Sequence, residues 1–127
     1  MERKITITAT IIGILSIILG AFGAHALKKI LTVEQISTFE TGVKYQMYHA
    51  LFLLYLGLSS ISEKAKKIIY NLVVFGILFF SGSIYLLATK NFTHLDFKLI
   101  GILTPIGGLL FILAWIVLMI NYIKKKS

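Results

Sequence analysis

The chain is predicted to be all-α and membrane-embedded: a four-helix transmembrane bundle with an amphipathic helix between the first and second spans. Three observations lead there. Of its 127 residues, 57% are hydrophobic and 14% charged, with a mean hydropathy of +0.90, a balance too apolar for an ordinary water-soluble domain. Four runs of 18 or more residues carry no formal charge, and each is long enough to cross a hydrocarbon core of ~30 Å. The charges cluster at the ends of these runs, where they read as topology signals and headgroup contacts.

The first span is residues 5–27, 23 positions that would make about 34 Å of helix at ~1.5 Å per residue. Its basic start and Ala24-His25-Ala26 imitate a signal peptide, but the apolar run exceeds the ~7–15 residues of such peptides. Thr32 with Gln35 three residues later forms a capping-box pattern. Val33, Ile36, Phe39 and Val43 then recur at helical spacing, predicting an amphipathic helix over 33–44 that lies on the membrane or continues into the next span, with Gly42 the natural place for a bend. Residues 45–62 are the second span, Glu63 to Lys67 a charged turn, 68–89 the third span, 90–98 a polar connection and 99–123 the fourth span. Nothing in the composition suggests a second domain, so residues 1–127 are read as one transmembrane domain.

Four crossings put both termini on one side with the 63–67 turn. That side holds eight basic residues (Arg3, Lys4, Lys64, Lys66, Lys67 and Lys124 to Lys126) against five (Lys28, Lys29, Lys44, Lys90, Lys98) on the other. The positive-inside rule places both termini in the cytoplasm. The net charge of +8 is absorbed by this pattern and by the lipid bilayer; no nucleic-acid partner is implied. With no cysteine, disulfides, thiolate metal sites and cysteine nucleophiles are excluded.

Hydrocarbon gives helices little reason to associate through apolar area, so close packing relies on small residues. Gly13, Ile17, Gly20 and Ala24 share one face of the first span, and Gly101, Pro105, Gly108 and Ile112 one face of the fourth; these are the predicted helix seams, available also to a second copy or a membrane partner. Pro105, beside Thr104 and before Gly107 and Gly108, predicts a kink. Ser81, Gly82 and Ser83 form a small polar patch in the third span.

The chemistry-bearing residues are few. His25 near the end of the first span and His49 one turn into the second are both expected near the outer membrane surface, with Tyr45 and Gln46 beside His49 and with His94, Asp96 and Thr104 approaching the same level. Polar groups at such positions face the bundle or water. The structural reading is that they hydrogen-bond across helices. Three functional readings stand beside it: a metal or haem held by His25 and His49, acid-base chemistry on a lipid or quinone-like substrate with His49 oriented by Glu40 or Asp96, or transport, for which the polar groups are few and no internal repeat is visible. No His-x-x-His or Glu-x-x-His pair and no serine nucleophile signature accompanies them, so no cofactor, metal or catalytic residue is assigned. Ser81, Ser83 and Thr104 are further candidates for lining a ligand path. Asn91-Phe-Thr93 fits a glycosylation sequon, relevant only in a secretory pathway. Trp115, continuing the Gly101 face, is read as a packing residue.

Gly20-Ala-Phe-Gly-Ala-His-Ala-Leu27, Tyr45-Gln-Met-Tyr-His-Ala-Leu51, Phe79-Phe-Ser-Gly-Ser-Ile-Tyr85 and Thr104-Pro-Ile-Gly-Gly108 together resemble the domain-of-unknown-function 423 family of YwdK-like and transmembrane protein 256-like small membrane proteins. The resemblance covers essentially the whole chain. It implies a small multi-pass membrane protein, here of bacterial type and so of the cytoplasmic membrane, and carries over no activity, ligand or catalytic residue. The function expected is a non-enzymatic accessory or binding component; the alternative is a cofactor- or metal-binding protein or a small lipid- or quinone-directed enzyme using His25 and His49.

Overall fold

A computed structural model of the chain describes residues 2–89 and 97–125. Within them are four long helices, α1 (Glu2–His25), α2 (Val33–Leu58), α3 (Glu63–Ala88) and α4 (Phe97–Lys124), with a single 3₁₀ turn, Leu27–Lys29, after α1. Helices α1, α3 and α4 are each long and apolar enough to cross a membrane. Helix α2 also has the length, but Glu34, Glu40, Lys44, Gln46 and His49 interrupt its apolar character.

The elements begin and end where local chemistry dictates. The Thr32 hydroxyl accepts from the Gln35 backbone N–H (3.1 Å) and the Gln35 side chain accepts from the Thr32 N–H (3.0 Å), so the expected capping box is present and satisfies two otherwise orphaned donors. Ser62 caps α3 through Ala65 N–H at 3.2 Å. The segment expected as a turn, Glu63 to Lys67, is therefore the first turn of α3; the chain reverses over 59–62 instead. Pro105 lies within an unbroken helix. The polar connection over 90–96, with Asn91, His94 and Asp96, lies outside the described residues.

Residues 33–58 form one continuous helix, so the 33–44 segment runs into the second span with no break at Gly42. Gly42 serves close approach instead. A Cβ there would lie 2.7 Å from the Tyr85 ring and 2.9 Å from Ile84, and the Gly42 carbonyl accepts a hydrogen bond from Ser81 Oγ at 2.8 Å. Its missing side chain lets α3 come near enough to reach the α2 backbone.

Each helix packs chiefly on its neighbour in sequence, α1 on α2, α2 on α3 and α3 on α4. Across α1 and α2 the register runs from Thr6 opposite Gly57, through Gly13 opposite Ala50 and Gly20 opposite Val43, to Gly23 opposite Phe39. Side chains reach further: Ile5 and Ala9 of α1 join Phe52, Leu53 and Leu56 of α2, Ile69 and Val73 of α3 and Phe111 and Ala114 of α4 in one buried cluster. A second, smaller cluster at the other end gathers Leu27, Leu31, Phe39 and Ala88.

The expected seams are half right. In α1, Gly13 and Gly20 do face α2, but Ile17 and Ala24 point outward, and the seam runs instead through Ala9, Gly13, Ser16, Gly20 and Gly23. In α4 the contact face is Ile100, Gly107, Phe111 and Ala114. A Cβ at Gly107 would sit 2.3 Å from the Phe80 backbone nitrogen, whereas one at Gly101 meets nothing within 4 Å. Gly101, Pro105 and Ile112 lie on the outward face.

Candidate functional site

The sequence-predicted polar residues separate into three groups. Gln46, buried on α2, joins three helices: its Nε2 donates to the Ile12 carbonyl of α1 at 3.1 Å, and its Oε1 accepts from the Tyr85 hydroxyl of α3 at 2.5 Å. One turn away along α3, buried Ser81 donates to the Gly42 carbonyl. In the second group, Ser83 donates to the Phe80 carbonyl at 3.0 Å and shares a 2.5 Å hydrogen bond with Thr104, tying α3 to α4. Gly82 faces open space.

The third group is built on His49. This residue is only 4% exposed, and its ring stacks on Phe111 of α4 with centroids 3.6 Å apart and planes 9° from parallel. Its Nδ1 lies 2.8 Å from the Tyr45 carbonyl, which can only accept, so Nδ1 carries the proton. The indole N–H of Trp115 then donates to Nε2 at 3.1 Å, which requires the Nε2 lone pair to be free of a proton. Both nitrogens are thereby engaged, and the imidazole is the neutral Nδ1–H tautomer. Trp115 also packs edge-on against Phe52 at 4.4 Å.

The depth of His49 differs from expectation. By the α1–α2 register it stands opposite Ile14, and the ring beneath it, Phe111, abuts Gly76 of α3. Ile14, Gly76 and Phe111 are each within a residue of the midpoint of α1, α3 and α4. The imidazole therefore lies at the middle level of the helices, not at their outer ends.

His25 is elsewhere. It is exposed at the last position of α1, eleven residues from Ile14, or roughly 16 Å along the axis from the level of His49. The structure does not bring the two imidazoles together, and a small ligand could not touch both. Among the described residues no group of three or more His, Cys, Asp or Glu side chains converges as a metal site would require. Glu40 is exposed on α2 and makes no hydrogen bond to His49.

A groove of about 740 Å³ opens on the outer face between α2 and α4, with Tyr45 and His49 on one wall, Phe80 at its base, and Pro105, Phe111 and Trp115 on the other. Tyr45 is 40% exposed there, its ring 4.9 Å from that of Phe80. Reading the residues alone missed two members of this arrangement: Tyr85 as the partner of Gln46, and Trp115 as the donor to His49. The available signal was that an indole N–H in the middle of an apolar run needs an acceptor at its own depth, and few side chains in the other spans supply one.

Comparison with known proteins agrees with the membrane reading. The family described as "Protein of unknown function (DUF423)" matches residues 19–108. A UPF0382 membrane protein of Staphylococcus saprophyticus is 43% identical over 106 residues, covering 83% of this chain and 84% of the relative. One of Haemophilus influenzae is 37% identical over 128 residues, covering 100% and 99%, and the UPF0382 inner membrane protein YgdD of Escherichia coli is 35% identical over 129 residues, covering 98% and 93%. No solved structure matches. A match over this much of the chain, joined to relatives of its own length that are named as membrane proteins, makes the chain a small membrane protein belonging to the DUF423 family.

Proposed function

We propose that the chain crosses the cytoplasmic membrane four times, with both termini in the cytoplasm, and acts as a non-enzymatic binding or accessory component. The observation that carries the non-enzymatic reading is the saturation of His49: one nitrogen donates to Tyr45 and the other accepts from Trp115, leaving no lone pair for a metal and no free base. Gln46, Ser81, Ser83 and Thr104 are spent the same way, on bonds between helices or to carbonyls. Such bonds tie a bundle that apolar area alone would hold loosely.

Support for a fourth crossing comes from the register. Residues 39–57 of α2 run beside residues 6–23 of α1, so if α1 spans, α2 traverses the same depth in the opposite direction. Its polar residues are tolerated there because they face neighbouring helices.

The chain has no cysteine, so single cysteines report without background. Lys28→Cys, Ser60→Cys and Lys125→Cys are labelled with a membrane-impermeant maleimide in intact bacterial cells and after lysis. Position 28 reacts in intact cells, and 60 and 125 only after lysis; positions 28 and 60 reacting from the same side would reduce the chain to three crossings. Visible absorption and metal content of the purified protein, repeated with His25→Ala and His49→Ala, test the non-enzymatic part. Colour or stoichiometric metal lost in either variant would overturn it.

A further inference from the structure

We infer that the groove between α2 and α4 binds the ring of a prenylated quinone, a flat, uncharged, carbonyl-bearing head on a hydrocarbon tail, with the Tyr45 hydroxyl donating to one quinone carbonyl. This inference rests on the reading of the chain as a membrane-embedded binding component. Three observations support it.

The first is an unspent donor. Among the described residues, nothing hydrogen-bonds the Tyr45 hydroxyl, while Tyr85, His49, Trp115 and Gln46 are all partnered. A polar group left without water or a partner inside hydrocarbon is costly, and it is tolerated where it lines a site.

The second is depth. The Tyr45 Cα lies four residues from the middle-level His49, about 6 Å along the axis. Its ring is held at that depth by Phe80, 4.9 Å away, which is in turn 5.5 Å from the Phe111 ring stacked on His49. On the four-span reading, a half-thickness of about 15 Å puts the ester carbonyls of ordinary phospholipids further from the middle than the Tyr45 backbone. A ring carbonyl on an occupant that enters the hydrocarbon can meet the hydroxyl there.

The third is shape. The open groove offers about 740 Å³, within the range of small-molecule sites, and rings from α2, α3 and α4 share its lining with Gly108 and aliphatic side chains of α4. The Tyr45 and Trp115 rings, 40% and 51% exposed, favour offset stacking with a flat head. No cation or anion lines the groove, so a charged head is excluded from it.

Trp115 is the only tryptophan of the chain and lies in the groove, which makes its fluorescence the readout. The full-length protein in phosphatidylcholine vesicles is titrated with decylubiquinone, with an acylated tryptophan in identical vesicles as the collisional control. The expected result is saturable quenching above the control. Tyr45→Phe, which removes only the hydroxyl, should weaken apparent affinity about five- to tenfold. Gly108→Leu should abolish the saturable component by filling the groove, since a Cβ there meets Phe80 at an ordinary 3.7 Å. Quenching that is linear and equal to the control, or saturable but unchanged in Tyr45→Phe, overturns the inference. So does quenching by brominated phosphatidylcholine that decylubiquinone cannot displace, which would make a phospholipid chain the occupant. A failure here leaves the crossing number and the His49 chemistry untouched, because those are read from labelling and spectra.

Discussion

Replacing Gly107 with alanine should loosen the α3–α4 pair more than any other single-methyl change in the described helices. The added Cβ would fall 2.3 Å from the Phe80 nitrogen and 2.8 Å from the Phe80 Cα. These are backbone atoms of a helix, so no side-chain rotation relieves the clash, and reaching an ordinary 3.4 Å contact means moving the helices apart by on the order of 1 Å. Overpacking of this kind costs roughly 1–3 kcal/mol. The separation would also weaken the Ser83 to Thr104 hydrogen bond and the seating of Phe111 against Gly76. Gly101→Ala is the matched control: the same methyl, on the same helix, meeting nothing within 4 Å, with an expected effect within about 0.5 kcal/mol. Thermal unfolding in detergent, followed by loss of the folded peak in gel filtration, should place Gly107→Ala several degrees below wild type and Gly101→Ala beside it. Equal stability of the two variants would refute the assignment of Gly107, and not Gly101, to the helix interface.

Other substitutions test the polar ties. Gln46→Leu strands the Tyr85 hydroxyl and should destabilise the protein by about 1–3 kcal/mol; Tyr85→Phe combined with it should recover part of that loss, and a double-mutant cycle showing no coupling would argue against the 2.5 Å bond. His49→Phe preserves the ring stacked on Phe111 but leaves the Trp115 N–H without its acceptor, so Trp115 emission should shift to shorter wavelength as stability falls by about 1–3 kcal/mol; unchanged emission would remove Trp115 as the donor. Thr32→Ala deletes the capping box and should cost about 1 kcal/mol, seen as faster amide exchange confined to the first turn of α2; uniform exchange changes along α2 would show that the cap does not act locally.

What the residues by themselves determined is the set of long apolar segments, the charges that bound them and the Thr32–Gln35 start of α2. A run without charge and a hydroxyl followed by a glutamine three residues later act locally, through desolvation and through one turn of backbone geometry. Only tertiary structure decided which face of each helix turns inward. In a soluble helix an apolar stripe marks the core, but α4 is apolar on every side because lipid and neighbour are equally oily. That is why Gly101 and Gly107 look alike in the chain, yet one meets open space and the other the backbone of α3. The same holds for His49. One turn inside an apolar segment suggested a position at the rim, and it was the continuity of α2 from Val33, with its antiparallel register on α1, that carried the imidazole to the middle level of the neighbouring helices, beside Trp115 and some 16 Å in level from His25.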